Sequence, residues 1–123
     1  MHYRESILWG KAMRLAEVAC REAARLTVRE RYGLRSQMTR AAVSVVSNIA
    51  EGWNRESSRE KAQFFAIAQG SLAELHTQFQ LCANLRWLDE IRLAELFGLI
   101  DEVGRMLTAL RQKLRKRHAS TNS

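Results

Sequence analysis

The chain contains no proline among its 123 residues. Proline removes a backbone donor and clashes with the preceding turn, so a chain without it can form long uninterrupted helices. Apolar residues recur three and four positions apart through most of the sequence, as on one face of a helix. In the first segment they are Leu8, Ala12, Leu15, Ala19, Ala23 and Leu26. The sequence therefore predicts an all-α protein.

Four helices are predicted, over residues 4–28, 33–53, 58–86 and 89–116, and residues 118–123 are expected to be frayed. Ser57 and Glu60 have the spacing of a capping box, and Asp89 is a natural N-cap. From Leu96 to Leu114 the apolar residues alternate four and three apart, as in an a/d seam. Helices of this length with short connections favour a single-domain, up-down-up-down antiparallel four-helix bundle.

The net charge is +7, from 20 basic and 13 acidic residues. A basic surplus favours polyanionic partners such as RNA, DNA or an acidic protein face, although solubility alone is the alternative explanation. The N-terminus lacks the apolar core of a signal peptide, and no apolar run is long enough to cross a bilayer. We therefore expect a cytoplasmic protein without a membrane partner. Cys20 and Cys82 are expected to be reduced thiols buried within helices.

Two basic zones are candidates for contact with nucleic acid or an acidic partner. Five basic residues of helix 1 fall within an arc of about 80° at 100° per residue. They are Lys11, Arg14, Arg21, Arg25 and Arg29. The second zone, near the C-terminus, contains Arg111, Lys113, Arg115, Lys116 and Arg117. Helices 1 and 4 adjoin in an up-down bundle, so the zones are expected to form one surface. No aromatic residue is interleaved with them, so base stacking is not expected.

A polar row crosses the otherwise apolar second helix and faces polar positions of the third. The row comprises Arg40, Ser44, Asn48 and Glu51 on helix 2, with Ser71 and Glu74 on helix 3. Counting outward from the connecting turn brings Arg40 within reach of Glu74. A half-buried arginine needs such a partner, so we predict an Arg40–Glu74 ion pair. The row is interpreted as a structural polar network that sets helix register; a ligand or oligomer contact is the alternative.

Catalytic chemistry is not indicated. Glu51 and Glu74, the only candidates for paired carboxylates, have no histidine in helical register with them. The histidines His2, His76 and His118 lack metal-ligand spacing. We therefore predict no enzyme activity, no metal, no cofactor and no small-molecule substrate.

Two further features concern packing. Trp9, Trp53 and Trp87 lie near predicted helix ends, and exposed aromatics there often mark subunit contacts, so a homo-oligomer is expected. Gly70, in the middle of helix 3, is less favourable than alanine by about 1 kcal/mol. It either permits a close helix approach near Ser44 or is a tolerated defect.

Several strings carry a family resemblance. They are Tyr32-Gly-Leu-Arg-Ser-Gln37, Arg40-Ala-Ala-Val-Ser44, Ser47-Asn-Ile-Ala-Glu-Gly52 and Gly70-Ser-Leu-Ala-Glu-Leu75. Together they resemble the four-helix-bundle family encoded in intervening sequences of bacterial large-subunit ribosomal RNA genes. The resemblance covers residues 6–90. Helix 4 resembles the family only in its general character and carries none of these strings. Val46 and the stretch 27–30 depart from the family pattern, in which proline is common at both places.

The resemblance implies a ring-like homopentamer without catalytic residues. The family is similar to the accessory variability determinant of diversity-generating retroelements. That protein partners a reverse transcriptase and nucleic acid through a basic surface. The pattern positions of the family fall on the polar row of helices 2 and 3. The expected partners are thus a second copy of this chain, RNA or DNA, or a nucleic-acid enzyme; the alternative is a purely structural assembly protein with no nucleic-acid role.

Overall fold

The computed structural model describes residues 2–122 and contains four long helices. These are α1 (Ile7–Ala23), α2 (Tyr32–Asn54), α3 (Ser58–Asn84) and α4 (Ala94–Asn122). Two single 3₁₀ turns, Tyr3–Glu5 and Arg29–Arg31, precede α1 and α2. No strand occurs within the described residues. The predicted all-α four-helix fold is confirmed.

Contacts across three helix pairs show that the two helices of each pair run antiparallel. Ser44 and Ser71 meet across α2 and α3, as do Gly52 and Phe65 nearer the connecting turn. Gln69 contacts Thr108 across α3 and α4, and His76 packs on Phe97 further along the same pair. Across α1 and α4, ion pairs join Lys11 to Glu102 and Arg14 to Glu95. In each pair, residue numbers rise on one helix as they fall on the other, as in an antiparallel bundle.

The core consists of the apolar faces that the helical spacing predicts. All six apolar residues of the α1 stripe are buried, as are most members of the α4 seam. Phe65 and Phe79 are the largest fully buried side chains. Gly52 packs directly against the Phe65 ring: a Cβ atom there would lie 2.6 Å from Cε1 of Phe65. Glycine at this position therefore permits close contact between α2 and α3.

Both ends of helix 1 and the start of helix 4 differ from the prediction. Helix 1 was expected from residue 4, but α1 begins at Ile7, where the Ser6 side chain caps the helix by accepting from the Trp9 amide. Helix 1 was expected to reach residue 28, but α1 ends at Ala23, where tighter bonds begin: the Leu26 amide donates to the Ala23 carbonyl at 3.0 Å. These i to i+3 bonds turn the chain so that Leu26 is buried in the core. Helix 4 was expected from residue 89, but Asp89 caps a turn instead, accepting from the Ile91 amide at 2.9 Å.

The C-terminal end of α4 also differs from the expectation. Residues 118–122, expected to be frayed, continue the helix. No proline or glycine follows Gly104, so nothing in the covalent chain stops the helix there. The rest of that prediction concerns Ser123, which lies outside the described residues.

The end of α3 adopts an unusual backbone conformation. Arg86 has a φ of 60°, in the left-handed region that glycine usually occupies. The Trp87 amide donates to the Cys82 carbonyl at 2.9 Å, and the Arg86 amide donates to the Ala83 carbonyl at 3.1 Å. This bond pair is the Schellman pattern, which satisfies carbonyls at the helix end. Arg86 therefore has a backbone conformation that is strained for a residue other than glycine.

The two cysteines are free, as expected, with Cys82 buried and Cys20 half-buried. Burial raises the pKa of both thiols above the ordinary value. For Cys82, the positive charge of Arg31 partly opposes the increase in pKa. Both residues behave as small packing groups with little thiolate at neutral pH.

Candidate nucleic-acid interface

The first part of the helix 1 stripe is occupied by ion pairs with α4. The Lys11 Nζ atom lies 2.8 Å from Glu102 Oε1, and an Arg14 guanidinium nitrogen lies 2.9 Å from Glu95 Oε2. These pairs are partly exposed, so each contributes little to stability, on the order of 0–1 kcal/mol. They do, however, offset the positive charge that a phosphate would otherwise meet on this face. The sequence placed these two cations in the candidate interface; the structure places each beside an acid.

The second part of the stripe surrounds a buried carboxylate. Glu22 is 9% exposed and lies between two arginines, with Arg92 at 3.5 Å and Arg25 at 3.7 Å. Sequence reasoning missed Glu22, although its position four residues before Leu26 on the apolar stripe was a signal. Arg21 and Arg29 are exposed and have no acidic partner within residues 2–122. Uncompensated charge on the stripe is therefore confined to its C-terminal end.

The C-terminal zone retains more of its charge. Lys113, Arg115, Lys116 and Arg117 are exposed, while Leu114 between them is buried against the bundle. Arg111 instead donates a hydrogen bond to Gln69 Oε1 of α3, so its guanidinium is partly engaged. No acidic residue follows Glu102 in the chain. The last turns of α4 thus have a cationic surface without carboxylates of their own.

The two basic zones do not form one surface. Arg14 lies beside Glu95 near the start of α4, whereas Lys113 lies 18 residues further along the same helix. At a rise of 1.5 Å per residue, that separation is about 27 Å. Arg21 and Arg29 lie further still in the opposite direction. The expectation of a merged surface is wrong because α1 and α4 run antiparallel, which puts the end of α1 and the end of α4 at opposite ends of the bundle.

Part of the predicted polar network forms as expected. The hydroxyl oxygens of Ser44 and Ser71 lie 2.8 Å apart across the seam between α2 and α3. The Asn48 amide nitrogen donates to the Ser44 carbonyl at 2.8 Å and to its hydroxyl at 3.1 Å. Three half-buried polar side chains thereby satisfy one another, which supports the interpretation of this row as an internal contact.

The Arg40–Glu74 ion pair does not form, and this prediction is wrong. Both side chains are exposed, and no ion pair joins them. The Glu74 carboxylate instead accepts from Gln78 Nε2 at 3.3 Å on its own helix. Because both residues lie outside the Ser44–Ser71 contact and remain in water, neither needs a charged partner. Glu51 is likewise exposed and pairs with Arg55 at 3.0 Å.

The structure differs from the expectation at the tryptophans, and at Gly70 it agrees with only one of the two alternatives. All three tryptophans are half-buried and pack against the core. Trp87 lies under the Arg31 guanidinium, whose carbon is 4.2 Å from the ring centroid. The tryptophans therefore are not the exposed aromatics that would mark a subunit contact. A Cβ atom at Gly70 would meet nothing within 4 Å, so no close helix approach explains that glycine.

Two further findings bear on the class of protein. In the described part of the chain, no three His, Cys, Asp or Glu side chains lie together as metal ligands would. None of the helices over residues 2–122 combines the length and apolar character needed to cross a membrane.

The fold and its basic ends define a small all-α protein, a bundle of four helices. The family model described as 23S rRNA-intervening sequence protein matches residues 4–109. The chain belongs to this family, and the match extends well into α4, beyond the residues that the resemblance covered. No curated protein matches the chain.

Proposed function

We propose that the chain is a non-catalytic, cytoplasmic, homo-oligomeric bundle that binds nucleic acid through the basic end of α4. The observation that carries this proposal is the last part of α4, where Lys113, Arg115 and Lys116 are exposed on a helix with no acid after Glu102. Lysine and arginine on such a surface displace condensed counterions from phosphates, which gives affinity without base specificity.

Salt-dependent binding tests this role. A labelled RNA duplex would be titrated with the protein at several salt concentrations, and the logarithm of affinity plotted against that of salt. A Lys113→Gln/Lys116→Gln variant should lower the slope by about 1.4 to 1.8, since each lost phosphate contact removes roughly 0.7 to 0.9. The matched control is Arg14→Gln/Arg105→Gln, which removes the same charge from side chains paired with Glu95 and Asp101.

The control should change the slope less than the Lys113/Lys116 variant does, because its two arginines already face carboxylates. Equal effects of the two variants would mean that net charge alone governs binding, and the assignment to α4 would fail. Absence of RNA or DNA binding even at low salt would reject the nucleic-acid role. The chain would then be a purely structural assembly protein.

Exposed apolar side chains on α3 support assembly. Ile67 of α3, one turn before Ser71, and Val43 of α2, beside Ser44, are each about half exposed. Leu81 and Leu85, at the end of α3, form a second exposed apolar pair. Exposed apolar side chains of this kind are typical of a surface that another subunit covers. The family resemblance implies that this subunit is another copy of the chain, in a ring of five.

Light scattering tests the assembly. Five copies of the 14.1 kDa chain have a mass of about 70 kDa. An Ile67→Glu variant should dissociate the assembly because it places a charge in the apolar contact. The control is Ile91→Glu, at a side chain 84% exposed in the link before α4, which should leave the mass unchanged. A monomeric wild-type chain would refute the assembly, and an unchanged mass for Ile67→Glu would refute its location.

A further inference from the structure

A shallow cleft along one side of α2, open to solvent, has the composition of an anion site. It has a volume of about 480 Å³ and is lined by Tyr32, Arg35, Ser36, Thr39 and Arg40. All five residues come from the first turns of one helix, and none is acidic. The cleft contains two guanidinium groups and three hydroxyl groups, types of side-chain group that often bind phosphate oxygens. The Thr39 hydroxyl donates to the Arg35 carbonyl at 3.0 Å, which leaves the Tyr32 and Ser36 hydroxyls for a ligand.

The positive charge of this cleft is uncompensated. Residues 31–50 contain Arg31, Arg35 and Arg40 and no acidic residue. Neither Arg35 nor Arg40 pairs with a carboxylate in the described part of the chain. An arginine fork binds a phosphate through two parallel hydrogen bonds, so each of these side chains is available for one such contact.

An aromatic ring lies among these cations. Tyr32 is 49% exposed, and the guanidinium carbon of Arg35 is 5.8 Å from its ring centroid. Half of a large ring remains in water at the edge of a cationic cleft. Such a ring offers a face on which an unpaired base can stack, and stacking of this kind tolerates any base. The structure therefore combines cation and aromatic groups, a combination that the sequence did not suggest for the other two zones.

Arg35 and Arg40 are five residues apart, which is about 7.5 Å along the helix axis and about 140° around it. Both line the cleft, so a strand that follows it can contact each of them. In a duplex, the bases are already stacked on each other, and Tyr32 would add nothing to the phosphate contacts.

We infer that this cleft is a binding site for single-stranded nucleic acid. Arg35 and Arg40 bind phosphates, and a base of the same strand stacks on Tyr32. The site is separate from the basic end of α4, because α2 begins at the end of the bundle where α3 finishes. It shares its ligand class with the proposed function but uses different residues, so each can fail without the other.

The experiment measures fluorescence anisotropy with three labelled probes of about 12 nucleotides, a length within the usual range for single-strand sites. The probes are a single-stranded RNA, an abasic strand that keeps the phosphates, and an RNA duplex. Tyr32→Ala should weaken binding of the single-stranded RNA by at least about fivefold, the lower bound for loss of one stacked base. Binding of the abasic strand and of the duplex should be unchanged, and Tyr32→Phe should restore affinity for the RNA.

Arg35→Gln/Arg40→Gln should weaken binding of both single strands and lower the salt slope by about 1.4 for the RNA, from roughly 0.7 per phosphate contact. Circular dichroism spectra and melting curves would establish that each variant folds. Equal losses on the RNA and the abasic strand for Tyr32→Ala would overturn the stacking contact. An unchanged affinity for the arginine variant would overturn the site.

A second variant separates this site from the proposed function. If Lys113→Gln/Lys116→Gln weakens RNA binding and the Arg35/Arg40 variant does not, the cleft is refuted and the α4 surface stands. The opposite result refutes the α4 surface and supports the cleft. If poly-glutamate binds as tightly as the single-stranded RNA and competes with it for the cleft, the ligand is an acidic protein and the inference is wrong.

Discussion

Replacing Gly52 with alanine should destabilise the bundle, although alanine favours a helix more than glycine does. An added Cβ atom would lie 2.6 Å from Cε1 of Phe65 and 2.9 Å from its Cδ1 and Cζ atoms. Phe65 is 1% exposed, and its ring is edge-on to Trp53 with centroids 6.3 Å apart. The ring therefore has little room to move away, and the overlap must be relieved by shifting α2 and α3.

The size of the effect follows from two opposing contributions. Overpacking a core costs about 1–3 kcal/mol, and replacing a helical glycine with alanine contributes about 1 kcal/mol in the other direction. Because the overlap with Phe65 is severe, we expect a net loss of about 1–2 kcal/mol in the free energy of unfolding. With roughly 2.1 cal/mol/K of unfolding entropy per residue, that loss lowers the Tm of a chain this long by about 4–8 °C.

The matched control is Gly70→Ala in α3. A Cβ atom at Gly70 would meet nothing within 4 Å, so only the helix preference remains. This variant should be more stable by about 0.5–1 kcal/mol, and its Tm should rise by about 2–4 °C. Urea and thermal unfolding followed by circular dichroism would measure both, at one protein concentration. If Gly52→Ala is also stabilised, the Phe65 ring has room to move and the close-packing argument is wrong.

Three further predictions concern the seam, the end of α3 and the cysteines. Ser44→Ala should lower the free energy of unfolding by about 1–2 kcal/mol because Ser71 and Asn48 each lose a hydrogen bond. In a double-mutant cycle with Ser71→Ala, additive losses of stability would contradict the Ser44–Ser71 contact. Arg86→Gly should raise stability by about 1 kcal/mol in urea unfolding, since glycine adopts a φ of 60° without strain; a loss of stability would refute strain at this residue. Burial raises the pKa of the Cys82 thiol, so above about pH 8.5 the unfolded chain loses this proton first and the free energy of unfolding should fall as pH rises. A Cys82→Ala variant should lose part of that pH dependence. If Cys82 of the folded protein reacts with a thiol reagent faster than Cys20 does, its burial is contradicted.

The sequence by itself determined the fold class and most of the core. The period of apolar residues in helix 1 and in the Leu96–Leu114 seam predicted which faces are buried, and those faces are buried. This signal is local, because residues three and four apart share a face whatever the helix packs against. Ser57, predicted as a cap, also acts locally and accepts from the Glu60 amide at 3.1 Å. Fold class and the Ser57 cap were therefore accessible without a structure, whereas Asp89 caps a turn and not a helix.

Within the candidate site, the sequence identified which residues are basic but not which of them have acidic partners. Lys11 and Arg14 look the same as Arg21 in the helix 1 stripe, yet only the first two meet carboxylates of α4. The polar row correctly included Ser44, Asn48 and Ser71, which contact one another, but the count from the turn that paired Arg40 with Glu74 failed. A small rotation of α2 about its axis keeps a short side chain such as Ser44 in the seam with α3, while a side chain at the edge of the seam, such as Arg40, turns into water.

Only the tertiary structure decided the properties that depend on two helices at once. Gly52 and Gly70 both lie within predicted helices, but only at Gly52 would an added Cβ atom overlap a side chain of another helix. The separation of the two basic zones is likewise a result of helix direction. The physical reason is that helical periodicity sets the face of a residue, whereas its neighbours across the bundle depend on the register and rotation of a second helix, which no local pattern specifies.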